Sequence, residues 1–258
     1  MPRGSYAFSG SETPNRRESD REYTPEKGFE NLEVESKLDI SNSAFLFGSE
    51  IEKLCPDKYE IDKLTGVETA RHDFYGFFNN QREAYHALTV MHHSHGTTFK
   101  IKKGLDRDLV HGVPIYTRIE KNIRDINDSE LVDFILYSTE KAKDNKVELR
   151  KVGSTDKVRV NLGLYSQDSH RLYIVTPSVC SASYGASIFS LNQLEVEYKG
   201  IGTPTFSPFI GVSDELSKLS LTLNNKLVEM GLSRGLNQRP LTKFEWIAKV
   251  YGVKTIDG

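Results

Sequence analysis

The chain has 258 residues, 37% of them hydrophobic and 27% charged, with a formal net charge of -2. That length suffices for one large or two small domains, and the near-neutral balance excludes a global field that would recruit nucleic acid or an anionic membrane. No apolar run approaches the roughly 18 residues that span a bilayer, and the N-terminus lacks the apolar core of a secretory signal. Cys55 and Cys180 are too few for a disulfide framework and match no metal-binding spacing, so a reducing cytoplasm is the expected location.

Residues 1–28 are polar, mixed in charge and aperiodic, and read as a flexible arm preceding a domain over 29–258. "LEVESK" (Leu32 to Lys37) then alternates Glu33, Glu35 and Lys37 against Leu32, Val34 and Leu38, as a strand does. Nearly the same hexapeptide returns as "LEVEYK" (Leu194 to Lys199), with Glu195, Glu197 and Lys199 opposite Leu194, Val196 and Tyr198. A weak helix is read around "SAFLFGSEIEKLC". From Leu32 to about Gly200 the pattern is mostly of strands broken by Gly, Asn, Asp and Ser. "KVELRKV-GSTD-KVRVNLGLY" reads as a hairpin, and so does its continuation through "SQDSH" to "RLYIV". The His92, His93 and His95 cluster reads as a solvated loop, and "YGFF" as core. Cys180 reads as a buried thiol.

Helices interrupt and close the series. "NDSELVDFILYSTEKAKD" carries Leu131, Phe134, Ile135 and Tyr137 near one side. Leu216, Leu219, Leu223 and Leu227 form a helical stripe that Gly231 ends. Thr242 and Glu245 form a capping box, and Leu241 and Trp246 stand at staple positions. Strand-rich sequence with a few helices gives an α+β or barrel architecture.

Charge is sorted by strand. Lys100 and Lys102 alternate with Phe99 and Ile101; Arg118 and Glu120 share a face; Lys157, Arg159 and Asn161 oppose Val158, Val160 and Leu162. Basic pairs occupy the middle strands, and acidic pairs the first and last. If the sheet closes with its charged faces inward, the carboxylates gather at one side and the cations at the others. Buried charge at that density is tolerable only if it is paired or holds ligands. Hard oxygen donors suit Mg²⁺ or Mn²⁺, and a cationic wall suits phosphate.

The ordered set, an E-x-E-x-K first strand, basic strands between and a late "LEVE" strand, resembles the CYTH superfamily of triphosphate tunnel metalloenzymes over about residues 30–250. The resemblance implies an eight-stranded antiparallel β-barrel with a hydrophilic tunnel, dressed with helices. It implies hydrolysis of a triphosphate group with Mg²⁺ or Mn²⁺, the substrate being a small triphosphate-bearing molecule or an RNA 5′ end. By position, Glu33, Glu35, Glu195 and Glu197 match the family's metal-binding and catalytic carboxylates. Lys37, Lys100, Lys102, Arg118, Lys157 and Arg159 match its phosphate-binding positions. Lysine at 100 and 102, where the family usually has arginine in the pair, gives up bidentate phosphate contact. Two alternatives stand in the same tunnel: a class IV-type nucleotide cyclase, and a protein that binds a phosphorylated ligand without turnover. The two "LEVE" strands are expected to face each other inside the closed barrel, all four carboxylates inward.

Overall fold

The computed structural model describes residues 32–79, 81–94, 96–123, 147–202 and 211–256. The proposed N-terminal arm, the helix read over 127–144, and His95 lie outside the described residues. Among the described residues eleven strands follow in chain order: β1 (Leu32–Asp39), β2 (Tyr59–Leu64), β3 (Glu68–Phe78), β4 (Glu83–His93), β5 (Gly96–Val110), β6 (Val113–Ile123), β7 (Glu148–Arg159), β8 (Leu162–Ser166), β9 (Arg171–Tyr184), β10 (Ser187–Ile201) and β11 (Lys254–Thr255). Two helices, α1 (Val212–Glu229) and α2 (Lys243–Val250), come between β10 and β11. No helix among the described residues is long and apolar enough to cross a membrane.

Eight strands close on themselves in the order β9-β10-β1-β6-β5-β4-β3-β7, every neighbour antiparallel. The closing pair joins Asp156–Arg159 of β7 to Ser178–Ser181 of β9. The fold is therefore an antiparallel barrel with a few helices. β8 and β2 extend the sheet outward from β9, and β11 lies parallel to β4. The turn between β5 and β6 is made by His111 and Gly112, both at positive φ (50° and 79°), the backbone that a two-residue hairpin needs.

The apolar faces of β1, β6 and β10 point outward, where α1 covers them. Leu216, Leu219, Leu223 and Leu227 are buried against a core that includes Val34, Leu38, Ile115, Leu194 and Val196. Ser36 and Ser220, on facing elements, share a 2.5 Å hydrogen bond within this layer. Gly231 ends the segment at φ 71°. The weak helix expected near residue 45 is instead two 3₁₀ turns, Ser43–Phe47 and Ser49–Leu54, which add Leu46, Ile51 and Leu54 to the same core.

α2 is seated inside one end of the barrel. Its capping box forms, with Thr242 accepting from the Glu245 amide and Glu245 from the Thr242 amide. Phe244, Trp246, Ile247 and Ala248 pack with Phe74, Phe78, Val152 and Ala182. This corrects the hairpin expected at "GSTD": β7 runs straight through those residues as one strand. Gly153 is there because a Cβ would lie 2.5 Å from the Tyr251 ring and 2.9 Å from Ile247, so the residue that reads as a turn is the space into which the helix fits. The second expected hairpin, β8 to β9, forms.

Gly153→Ala should therefore destabilise the fold by about 1–3 kcal/mol through overpacking. Gly48→Ala, where an added Cβ meets open space, should stay within about 0.5 kcal/mol. Urea midpoints of both variants check this; equal midpoints would contradict the seating of α2.

Candidate functional site

Closure brings the two echoed hexapeptides together as hydrogen-bonded neighbours rather than as strands facing across the barrel. Glu35 stands opposite Glu197, and Lys37 opposite Glu195. Because side chains alternate, Glu33, Glu35, Lys37, Glu195 and Glu197 all take the face away from α1, toward the lumen. On the other side of β1, Arg118 is opposite Glu33, and Tyr116 opposite Glu35. β5 adds Lys102 opposite Glu120, with Lys100 two residues away on the same face. β7 adds Thr155, Lys157 and, toward the mouth, Arg159.

Each carboxylate is held by cations. Lys102 donates to both Glu33 oxygens at 2.7 and 2.6 Å. Glu35 pairs with Arg118 at 2.5 Å and with Lys37 at 2.9 Å. Glu195 accepts from Lys37 and from Lys243 (2.5 Å) and lies 3.6 Å from Lys157. Glu197 pairs with Lys199, and Glu120 with Lys100 at 2.6 Å. Glu35 and Lys37 are each only 3% exposed, so these charges are truly desolvated. An unpaired ion in such a place costs several kcal/mol, which is why the pairing is nearly complete.

The electrostatics divide the lumen. Burial pushes the Glu195 carboxyl up, but Lys243, Lys37 and Lys157 outweigh it and hold the group well below the usual carboxylate range. Glu35 is likewise lowered, burial and Glu33 being overcome by Lys37, Lys102 and Arg118. Glu197 goes the other way: burial and the nearby Glu33 raise it despite Lys199. Lys157 is pushed down to about 7, first by burial and then by the Lys243 ammonium. His72 is lowered to about 2 by burial and by Lys157 and Lys243; His86, to about 3 by burial and by Lys102 and Arg118. Both imidazoles are thus neutral hydrogen-bonding groups, and His86 bonds Thr89 at 2.9 Å.

All ten residues singled out in the sequence line or border this lumen. Lys100 and Arg159 stand toward its mouth, Arg159 about two-fifths exposed and paired with Glu68 at 2.8 Å. Sequence reading did not single out Lys243, which enters the lumen from the N-terminus of α2, or Glu120, His72 and His86 as site residues. Only Glu120 gave a signal, its shared face with Arg118. Of the histidine cluster, His92 and His93 are exposed at the end of β4, and His92 lies 3.5 Å from Asp73. Cys180 is buried, as expected.

Among the described residues no three His, Cys, Asp or Glu groups are gathered to hold a metal ion as they stand. The donor set still fits one in kind. Glu33, Glu35 and Glu197 supply hard oxygens from adjoining positions on two paired strands, and burial with the nearby Glu33 disfavours the charged form of Glu197 despite its pairing with Lys199. Lysines and an arginine occupy the places on those oxygens that a cation would take.

No protein-family model and no curated protein matches the chain. Among solved structures it is similar to the S. pombe Pct1 RNA triphosphatase, at 12% identity over 77% of this chain and 84% of that one, with a TM-score of 0.33.

Lys157 gives a test of the lumen electrostatics. Its ammonium is disfavoured in the folded chain, so between about pH 7 and its unfolded value of 10.5 the folded state binds fewer protons. Stability then rises with pH across that window and carries the full penalty below it. Lys157→Met should abolish this slope, so wild type gains on the variant from pH 7 to 10 in denaturant melts. Parallel stability curves would contradict the assignment.

Proposed function

We propose that the lumen binds the triphosphate end of a small molecule or RNA with Mg²⁺ or Mn²⁺ and hydrolyses it, water attacking the terminal phosphorus. The observation that carries this reading is the pair of Lys157, buried, and Lys243, half-buried, two ammonium groups that share the Glu195 carboxylate. Their repulsion is what helps to hold Lys157 down near 7. A phosphate oxygen entering between them supplies the missing negative charge, and a low-dielectric wall makes that contact strong.

Phosphoryl transfer asks a protein mostly for positioning and charge stabilisation. Lys157, Lys243, Lys37 and Arg118 would hold phosphate oxygens from different walls and fix the group's orientation. Lys100 and Arg159 would receive the substrate at the mouth. Neutral His72 and Thr155, whose hydroxyl is buried without a hydrogen bond among the described residues, would bind oxygens without adding charge. Glu33, Glu35 and Glu197 would hold the divalent ion, with Glu195 placed to keep the lysines charged and aligned. When bound, the ion would neutralise phosphate oxygens and acidify its water. α2, seated in one end of the barrel, excludes bulk water there.

Purified chain should release phosphate from at least one of tripolyphosphate, ATP, thiamine triphosphate or 5′-triphosphate RNA, with Mg²⁺ or Mn²⁺ present. Glu33→Gln and Glu197→Gln should remove that activity while melting as folded proteins. Lys243→Met should lower kcat by about 10²–10³-fold, the loss typical of one transition-state donor. Pyrophosphate release would point instead to cyclase chemistry, and tight binding without product, to a ligand-binding protein.

A further inference from the structure

The lumen contains one cation with two places to sit. Lys102 lies on β5, and its cross-strand neighbour on β6 is Glu120. Its side chain instead reaches past β6 to Glu33 on β1 and donates to both carboxylate oxygens, at 2.7 and 2.6 Å. Glu120 Oε2 remains 3.2 Å from Lys102 Nζ. That oxygen is buried and accepts no hydrogen bond among the described residues, whereas Glu120 Oε1 is taken by Lys100 (2.6 Å) and Asn122 (2.7 Å). A buried carboxylate oxygen that accepts no hydrogen bond is costly, so its presence beside an ammonium that donates elsewhere needs a reason.

We propose that Lys102 is an exchangeable counter-ion that neutralises Glu33 when no metal is bound and moves to Glu120 when a divalent cation takes the Glu33 oxygens. This rests on the reading of Glu33 as a metal-holding residue. A cation cannot reach those oxygens while an ammonium covers both. An ammonium displaced into a dry lumen without a partner would cost several kcal/mol. Glu120 removes that cost, because its Oε2, which accepts no hydrogen bond among the described residues, already lies within ion-pair distance of the ammonium at 3.2 Å, and the lysine stem is flexible enough to turn from one acceptor to the other. Glu120 is then a positioning residue rather than a ligand of metal or phosphate. Any anion that draws Lys102 off Glu33 also eases metal binding, and by reciprocity the metal eases anion binding at Lys102.

Mn²⁺ binding to the whole chain, followed by loss of the free-ion paramagnetic signal without phosphate present, tests this. Lys102→Met should bind Mn²⁺ at least tenfold more tightly than wild type, since Glu33 is uncovered. Glu120→Gln should bind it several-fold more weakly, since Lys102 loses its second seat. In the Lys102→Met background, Glu120→Gln should change affinity less than twofold, a non-additivity that a double-mutant cycle reads directly. Lys102→Gln, which keeps a neutral donor for Glu33, serves if the methionine variant does not fold. Equal or weaker binding by the Lys102 variants, with clear binding by wild type, overturns the exchange and leaves the metal site. An equal loss from Glu120→Gln in both backgrounds makes Glu120 a direct ligand and also overturns it. No Mn²⁺ binding by any of these proteins, with or without added sulfate, overturns the metal reading and the exchange with it.

Discussion

Everything in this molecule depends on β1 being buried on both faces. One face, Val34, Ser36 and Leu38, lies under α1; the other, Glu33, Glu35 and Lys37, points into a closed barrel. A strand with a charged face ordinarily gives that face to water. Here closure through β9 and β7 removes the water, and each charge must find a partner within the protein, most of them on another element. Those ion pairs link β1, β5, β6, β10 and α2.

That requirement also gives the lumen its chemistry. Replacing the charges with apolar residues would be the easier way to fill a barrel of this size, since buried ion pairs seldom stabilise relative to well-packed hydrocarbon. An interior of paired charges is instead a place where carboxylates and ammoniums are already desolvated and aligned. On the reading proposed above, an incoming polyanion and its metal would exchange partners with groups already in place, leaving little to reorganise as charge develops on the phosphorus. The strain is uneven: Glu195 sits among three lysines, whereas Glu197 and Lys157 are each pushed toward neutrality. Those are the points where bound ligands have the most to relieve.

Much of this was legible in the sequence because strands write their faces at period two. The "LEVESK" and "LEVEYK" segments and the basic pairs at 100/102 and 157/159 declared charged faces of opposite sign on different strands; closure of the sheet was a supposition that the family resemblance of the ordered set implied. Three things were not legible. "GSTD" reads as a turn by composition, yet Gly153 is small because α2 occupies the space beside it; no local pattern encodes a contact with a helix some ninety residues later. Lys243 looks like any lysine in a first helical turn, and only the seating of α2 carries it to Glu195. His72 and His86 stand on β3 and β4, whose faces mix aromatic and polar residues, so alternation alone did not mark them as lumen groups.

The central claim is that β1 and β10 together form one inward-facing site for a divalent ion and a triphosphate. The most direct measurement is a crystal structure of the chain with Mn²⁺ and tripolyphosphate, with anomalous data collected at the manganese edge. The account predicts a manganese peak inside the barrel, bonded to carboxylates of Glu33, Glu35 or Glu197 at about 2.0–2.3 Å, with phosphate oxygens against Lys157 and Arg118. Manganese only on the outer surface, or an ion-free lumen with its lysines still on their carboxylates at saturating ligand, would contradict it.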